Sequence, residues 1–282
     1  RQPVRLSRGR SLLAYGDNYR FVSRRVGATV IILRPLNVVT TVVTTVVTSI
    51  VTTIVTTVSK TRSYRAMIKL YGAPLSHYYA MVKVFLLEKG FDFEEIYIAP
   101  TYSEPFLEIS PMGKIPCIEV NEGYLSETTA ILGFLESCIP EYPMTHSDAF
   151  RRAQMAQMIK IVELYIGVES TRLMGHVFFG RPFNQSVADE VKPTMEKGLA
   201  ALRRLSSFSP YLLGDEITMA DFYTYYVLKT AAPVAKKIWG WTIVDDVEGL
   251  RPWLQLMSER PLVQQVDAEH NVAIKEFMDK TS

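Results

Sequence analysis

Between Pro111 and Ile131 the chain reads Pro-Met-Gly-Lys-Ile-Pro-Cys-Ile-Glu-Val-Asn-Glu-Gly-Tyr-Leu-Ser-Glu-Thr-Thr-Ala-Ile. No other stretch constrains the fold as tightly. Pro111 and Gly113 mark a loop, and Cys117 to Val120 is a short β-rich run. Asn121-Glu122-Gly123 makes a tight turn, Tyr124-Leu125 is a return strand, and Ser126-Glu127-Thr128 opens a helix. Pro116 stands just before the first strand, where its missing N–H confines it to an entry or edge position. X–Pro is also the one peptide bond that takes the cis form at modest cost.

The rest of the chain from Met67 onward arranges itself around this hairpin. Ile68 to Tyr71 reads as a short strand and Tyr78 to Lys89 as a helix, with Val82, Phe85 and Leu86 at helical spacing. Gly90 ends that helix, and Phe93 to Ile98 is a second strand. Parallel pairing of the two strands needs the helix between them as a crossover, which gives a βαβ unit. A short helix over Ser103 to Ile109, the hairpin, and a helix over Glu127 to Cys138 complete the order βαβαββα. Residues 140–147 are a linker with two prolines, Pro140 and Pro143, and no periodicity. Everything beyond reads helical: Asp148 to about Leu173, Asn184 to Leu205, Met219 to Ala232, Leu250 to Glu259 and Val263 to Met278, with Gly175 to Phe183 as an aromatic and glycine loop. Thr218-Met-Ala-Asp221 is a capping box ahead of an apolar run, with Ile217 placed as a hydrophobic staple.

The net charge of +2 hides an asymmetry. Eleven basic residues and one acidic residue precede Met67, whereas 20 basic and 28 acidic residues follow it. A body of that balance is not built to seek nucleic acid. Cys117 and Cys138 are the two cysteines, far from any metal or redox spacing, so no disulfide framework is expected and a reducing compartment fits.

Residues 1–66 read differently from the rest: Arg-rich, and carrying from Val38 to Val58 a run of Val-Val-Thr-Thr type. Three readings compete. The first is a leader outside the fold, with Met67 as the true start. The second is a transit peptide, from the Arg-rich, acid-poor composition. The third is a signal anchor, since about 20 uncharged residues flanked by Arg34 and by Lys60, Arg62 and Arg65 are long enough to span a bilayer. Against spanning, nearly half the run is Thr, and β-branched repeats suit strands as well as helices. A membrane role is expected only if the 38–58 run is native, and the segment is set apart from the fold.

With Gly113-Lys-Ile-Pro116, the hairpin and Glu127-Thr-x-Ala-Ile131 in place, the chain resembles the cytosolic glutathione transferases, in a bacterial-type, serine-dependent form. The resemblance extends upstream to Met67-Ile-Lys-Leu-Tyr-Gly-Ala-Pro-Leu-Ser76 and downstream to Leu213-Gly-Asp-Glu-Ile-Thr-Met-Ala-Asp221. It implies an α/β plus all-α fold: a thioredoxin-like, glutathione-binding domain over 67–139, a linker over 140–147 and an all-helical domain over 148–282. It also implies a cytoplasmic homodimer acting in detoxification, with glutathione as co-substrate and no metal, joining the glutathione thiolate to a small hydrophobic electrophile.

Ser76 ends the loop after the first strand, just before a helix, where free N–H groups and partial positive charge favour a thiolate. On its residues alone it is an N-cap. The resemblance implies in addition that its hydroxyl donates to the glutathione sulfur. Tyr78, in the first helical turn, is the alternative hydroxyl. Absence of Cys from this loop argues against the cysteine-dependent branches of the family. The resemblance places Lys114 against the glycyl carboxylate and Ile115, beside a cis Pro116, along the cysteinyl backbone as an added strand. It gives Glu127 to the γ-glutamyl ammonium and Thr128, where the family more often has Ser, to the α-carboxylate at a helix start. Read plainly, Lys114 is a solvated loop lysine and Ser126 the cap of the helix that Glu127 favours through its dipole. Tyr165, Arg172, His176 and Phe179 are candidates for the acceptor site. The same frame accommodates a glutathione-dependent peroxidase, dehalogenase or isomerase, or a non-catalytic interaction module.

Overall fold

The structure is a computed structural model and describes residues 5–6, 10–15, 18–25, 28–33, 45–53 and 68–281. The chain divides into two units, Arg1–Lys60 and Thr61–Ser282. In the first, strands β1 (Arg5–Leu6), β2 (Arg10–Tyr15), β3 (Asn18–Arg25) and β4 (Ala28–Leu33) pair antiparallel in sequential order. Tyr15 pairs with Asn18 and Arg25 with Ala28 in the ladder. Helix α1 (45–53) lies within the Val/Thr run, and the remainder of that run is outside the described residues. Among the described residues no helix is long and apolar enough to cross a membrane.

The second unit begins with β5 (Ile68–Gly72), α2 (His77–Glu88), β6 (Phe93–Tyr97), α3 (Glu104–Leu107), β7 (Cys117–Val120), β8 (Gly123–Ser126) and α4 (Thr128–Cys138). The sheet order is β6-β5-β7-β8. β5 runs parallel to β6, with Ile68 opposite Phe93, and antiparallel to β7, with Tyr71 opposite Cys117. The mixed sheet follows from the connections: a helical crossover permits a parallel pair, a two-residue hairpin only an antiparallel one. On β5 burial alternates, so Ile68 and Leu70 face the core while Lys69 and Tyr71 face out to Glu119. α2 is buried nearly all round because it lies between this sheet and the helices that follow, with Phe85 edge-on to Phe222 at 6.2 Å.

The helical part comprises α5 (Ala149–Val162), a π-turn (Glu163–Gly167), α6 (Val168–Phe179), α7 (Gln185–Leu205), α8 (Met219–Trp239), a 3₁₀ turn (Ile243–Asp245), α9 (Leu250–Ser258) and α10 (Pro261–Thr281). α8 is its axis. Every residue from Ala220 to Leu228 is buried, as expected of a helix surrounded by others.

Three boundaries differ from the sequence expectation, each for a physical reason. The helix expected over 148–173 is interrupted by the π-turn and then runs on to Phe179, so the loop expected at Gly175 starts only at Gly180. Gly175 is not a breaker: a Cβ there would lie 2.8 Å from Arg181 Cδ, so the glycine admits a returning side chain. Gly180, left-handed at φ 61°, is the stop. α8 passes through Pro233 and ends seven residues after the expected Ala232, at Trp239 before Gly240. Finally, α4 starts at Thr128 and its cap position is Glu127, with no side-chain cap, so Ser126 does not cap it.

Candidate active site

Ser76 takes an extended conformation at the N-cap of α2, and its Oγ accepts the Tyr79 N–H at 3.3 Å. The capping role read from the sequence is therefore present. Because the oxygen is used as an acceptor, the hydroxyl proton stays available to a partner. Ser76 itself lines neither of the two hollows nearby: Tyr78 lines one, and its neighbours Leu75 and His77 line the other.

The first is a groove of about 140 Å³ bounded by Tyr78, Lys114, Ile115, Pro116, Glu127 and Thr128. Five of these are the residues that the sequence assigned to glutathione, and the sixth is the alternative hydroxyl. The Ile115–Pro116 bond is cis. The preceding loop is held by Ser110, fully buried, whose Oγ donates to the Lys114 carbonyl at 2.7 Å and accepts the Lys114 N–H at 3.1 Å. Gly113 has φ 62° and passes so close to Thr101 that a Cβ would meet its carbonyl oxygen at 2.6 Å. Only glycine fits there. Among the described residues the Lys114 ammonium and the Glu127 carboxylate have no ion-pair partner. Glu127 has φ 68°, one of two non-glycine residues with positive φ among those described. That backbone costs of order 1–3 kcal/mol and is characteristic of ligand-holding positions. Thr128, the first residue of α4, is buried beside it.

Five groove residues were not foreseen from sequence: Ser110, Ser126, Glu163, Val168 and Tyr223. Glu163 is turned in by the π-turn, a device frequent at functional sites. The Tyr223 ring lies tilted beside the Tyr78 ring, with centroids 6.4 Å apart. Burial first, and the Glu163 charge second, push the Tyr78 phenol up to about 12, so it remains protonated and a donor at neutral pH. No sequence signal marks Tyr223, which sits in the stretch of α8 from Ala220 to Leu228 that is buried at every position.

The second hollow, about 300 Å³, is lined by Leu75 from the loop before α2 and His77 at its start, from α6 by Phe178 and Phe179, and from α10 by His270 and Phe277, among others. Of the four acceptor-site candidates only Phe179 lines it. Tyr165 is 46% exposed on the π-turn. Arg172 is spent on ion pairs with Glu169 at 2.9 Å and Glu190 at 2.5 Å. His176 Nδ1 lies 2.9 Å from the Arg181 carbonyl, and its ring packs on Phe183.

His77 is 5% exposed and packs on the Tyr78 ring at 4.1 Å. Burial, with repulsion from His270 second, lowers its pKa from 6.5 to about 3. The folded state thus refuses a proton that the unfolded chain accepts, so stability present above pH 6.5 is lost as pH falls from there toward about 3. Urea midpoints measured across that range should fall less steeply for His77→Phe than for the wild-type protein. Parallel curves for the two would contradict a buried neutral imidazole.

A thioredoxin-like sheet domain carrying a cis-proline groove, followed by a helical domain that closes one side of it, defines the class. The family model described as "Glutathione S-transferase, N-terminal domain" matches residues 70–142, and "Glutathione S-transferase, C-terminal domain" matches 185–256. A glutathione S-transferase of Pseudomonas putida is 33% identical over 213 residues, covering 76% of this chain and 97% of that protein. The crystal structure of glutathione transferase F7 from Populus trichocarpa superposes with a TM-score of 0.59 at 24% identity, over 72% of this chain and 99% of that one. A probable elongation factor 1-gamma 1 of Arabidopsis thaliana is 29% identical over 119 residues, covering 42% of this chain and 29% of that protein. The chain belongs to the glutathione S-transferase family.

Proposed function

We propose that this protein conjugates glutathione to a small hydrophobic electrophile, with Ser76 as the residue that holds the thiolate. The observation that carries this reading is the position of Ser76: Tyr78 lines the groove of glutathione-type chemistry, while Leu75 and His77 line the apolar cavity. A sulfur at Ser76 stands between a peptide site and an acceptor site.

In this reading glutathione lies extended along Ile115, whose backbone N–H and C=O meet no partner among the described residues. Lys114 takes the glycyl carboxylate. Glu127 takes the γ-glutamyl ammonium, and Thr128 with the free N–H groups of α4 takes the α-carboxylate. The Ser76 hydroxyl donates to the sulfur at the positive end of α2, the thiol proton leaves to solvent, and the thiolate attacks carbon in the adjacent cavity. The new S–C bond forms as a leaving group departs with its electron pair, or as a double bond's pair moves to a conjugated carbonyl oxygen. A cytoplasmic homodimer with a detoxifying role belongs to the same proposal.

Calorimetric titration with glutathione tests the site. Lys114→Ala and Glu127→Gln are each expected to weaken binding about tenfold or more, each removing a charge-assisted contact. If wild-type protein binds no glutathione at millimolar concentration, the reading fails. A protein-interaction module, the alternative suggested by the elongation-factor relative, would then take its place.

A further inference from the structure

We propose that the apolar cavity selects neutral, ring-bearing acceptors that carry a hydroxyl, and that His270 is the residue that reads this hydroxyl. The inference rests on the transferase reading for its place in the reaction, but its binding arm does not.

The cavity walls are aromatic and aliphatic: Phe178 and Phe179 face Ile274 and Phe277, with the Phe179 and Phe277 rings edge-on at 5.2 Å. About 300 Å³ accommodates a single-ring compound. Three groups in the lining could carry charge, and none presents it. Lys229 Nζ lies 2.7 Å from Asp267 Oδ2. His77 and His270 are both more than nine-tenths buried, and burial lowers both their pKa values, so both rings are neutral at physiological pH. An anionic acceptor entering this hollow would lose its hydration without meeting a free cation.

His270 is oriented by one contact. Its Nδ1 lies 2.6 Å from the carbonyl of Pro74, which attracts it only if Nδ1 carries the proton. In the neutral ring Nε2 then bears a lone pair, and it has no hydrogen-bond partner among the described residues. His270 lines this cavity, whose other polar side chains are His77, Lys229, Thr230 and Asn271; an Nε2 lone pair there is matched by a hydroxyl or N–H on the ligand, and a ligand without one leaves it unmatched. Pro74 belongs to the same loop as Ser76, two residues before it, so the recognised hydroxyl is held from the wall that carries the thiolate.

The test uses the full chain and unreactive probes: raspberry ketone, a para-hydroxyphenyl butanone, and its methyl ether, which matches it in shape but lacks the donor. The wild-type protein should bind the phenol at least about tenfold more tightly than the ether. His270→Asn retains a side-chain N–H for the Pro74 carbonyl and removes the Nε2 lone pair, so the ratio should fall to near one. Equal affinities in the wild-type protein overturn the proposal whatever the variant does, and so does an unchanged ratio in His270→Asn. Tighter binding of para-hydroxyphenylpropanoate than of raspberry ketone overturns the claim of neutrality. A separate arm follows glutathione addition to para-hydroxybenzylideneacetone. There the sulfur bonds to the β-carbon, the alkene pair moves to the carbonyl oxygen, and the α-carbon then takes a proton from solvent. Selective binding without any conjugation refutes the transferase reading and leaves the hydroxyl reading standing.

Discussion

Replacement of Asp221 by alanine should lower the unfolding free energy by about 3–5 kcal/mol. The carboxylate is fully buried at the start of α8 and accepts four hydrogen bonds. Oδ1 takes the Leu212 N–H at 2.9 Å and the Trp253 indole N–H at 3.0 Å, while Oδ2 takes the Thr218 N–H at 2.8 Å and its hydroxyl at 3.0 Å. Three segments therefore meet on one side chain: the turn before α8, the cap of α8, and α9. Alanine would leave these donors buried with nothing to accept them, each orphan costing roughly 1–3 kcal/mol before relaxation. Asp221→Asn keeps one accepting oxygen and should lose about half as much. Urea denaturation followed by circular dichroism measures the midpoint, and an unchanged slope would place the loss in the folded state. A shift below about 1 kcal/mol for Asp221→Ala would mean that the α8 cap does not organise the helical domain.

The second large effect is expected at Lys89. Its side chain is completely buried, with Nζ 2.9 Å from Glu136 Oε2 and 2.6 Å from the carbonyls of both Ile139 and Tyr142. The other Glu136 oxygen accepts the Met144 N–H at 2.9 Å. The lysine thus pins the linker between the sheet domain and the helices. Lys89→Met should cost about 3–5 kcal/mol, because it strands a buried carboxylate and two carbonyls. Adding Glu136→Leu should recover part of that loss, since exchanging a whole buried ion pair for apolar side chains is often close to neutral. The functional consequence follows from geometry: Glu163, Val168 and Tyr223 reach the groove from the helical side of the linker. Glutathione should therefore bind more weakly to Lys89→Met even below its unfolding transition. Thermal unfolding of the wild-type protein and the two variants, with glutathione titrations at low temperature, separates the two effects. Failure of the double variant to recover any stability would contradict an ion pair as the origin of the loss.

The sheet domain was largely legible in the sequence because its signals are local. A proline before a β-rich run, a glycine turn and a hydroxyl-rich helix start each act within a few residues, and the βαββ order then leaves few topologies. The groove residues Lys114, Ile115, Pro116, Glu127 and Thr128 could be named because they lie in that one segment. What was not legible depends on distance along the chain. His270 meets Pro74 across 196 residues. Tyr223 meets Tyr78 from a stretch of α8 buried at every position, where periodicity carries no facing information. A loop was expected from Gly175 and a helix end at Ala232, yet Gly175 admits Arg181 and α8 continues through Pro233 to Trp239. The acceptor residues were chosen by type on a helix whose register the π-turn shifts, so Tyr165 and Arg172 face away from the cavity that Phe179 lines.

The central claim, that Ser76 holds glutathione as its thiolate, is tested most directly by ultraviolet thiolate absorbance of bound glutathione as a function of pH. Wild-type protein, Ser76→Ala and Tyr78→Phe would be compared in a shortened chain starting at Met67 and in the full chain. The account predicts that the bound thiol ionises well below its free pKa of about 8.5 in the wild-type protein and in Tyr78→Phe, and that Ser76→Ala abolishes the shift. Loss of the shift in Tyr78→Phe, with Ser76→Ala unaffected, would transfer the role to the tyrosine that faces the groove. Bound glutathione that ionises no more readily than free glutathione in the wild-type protein would contradict the account.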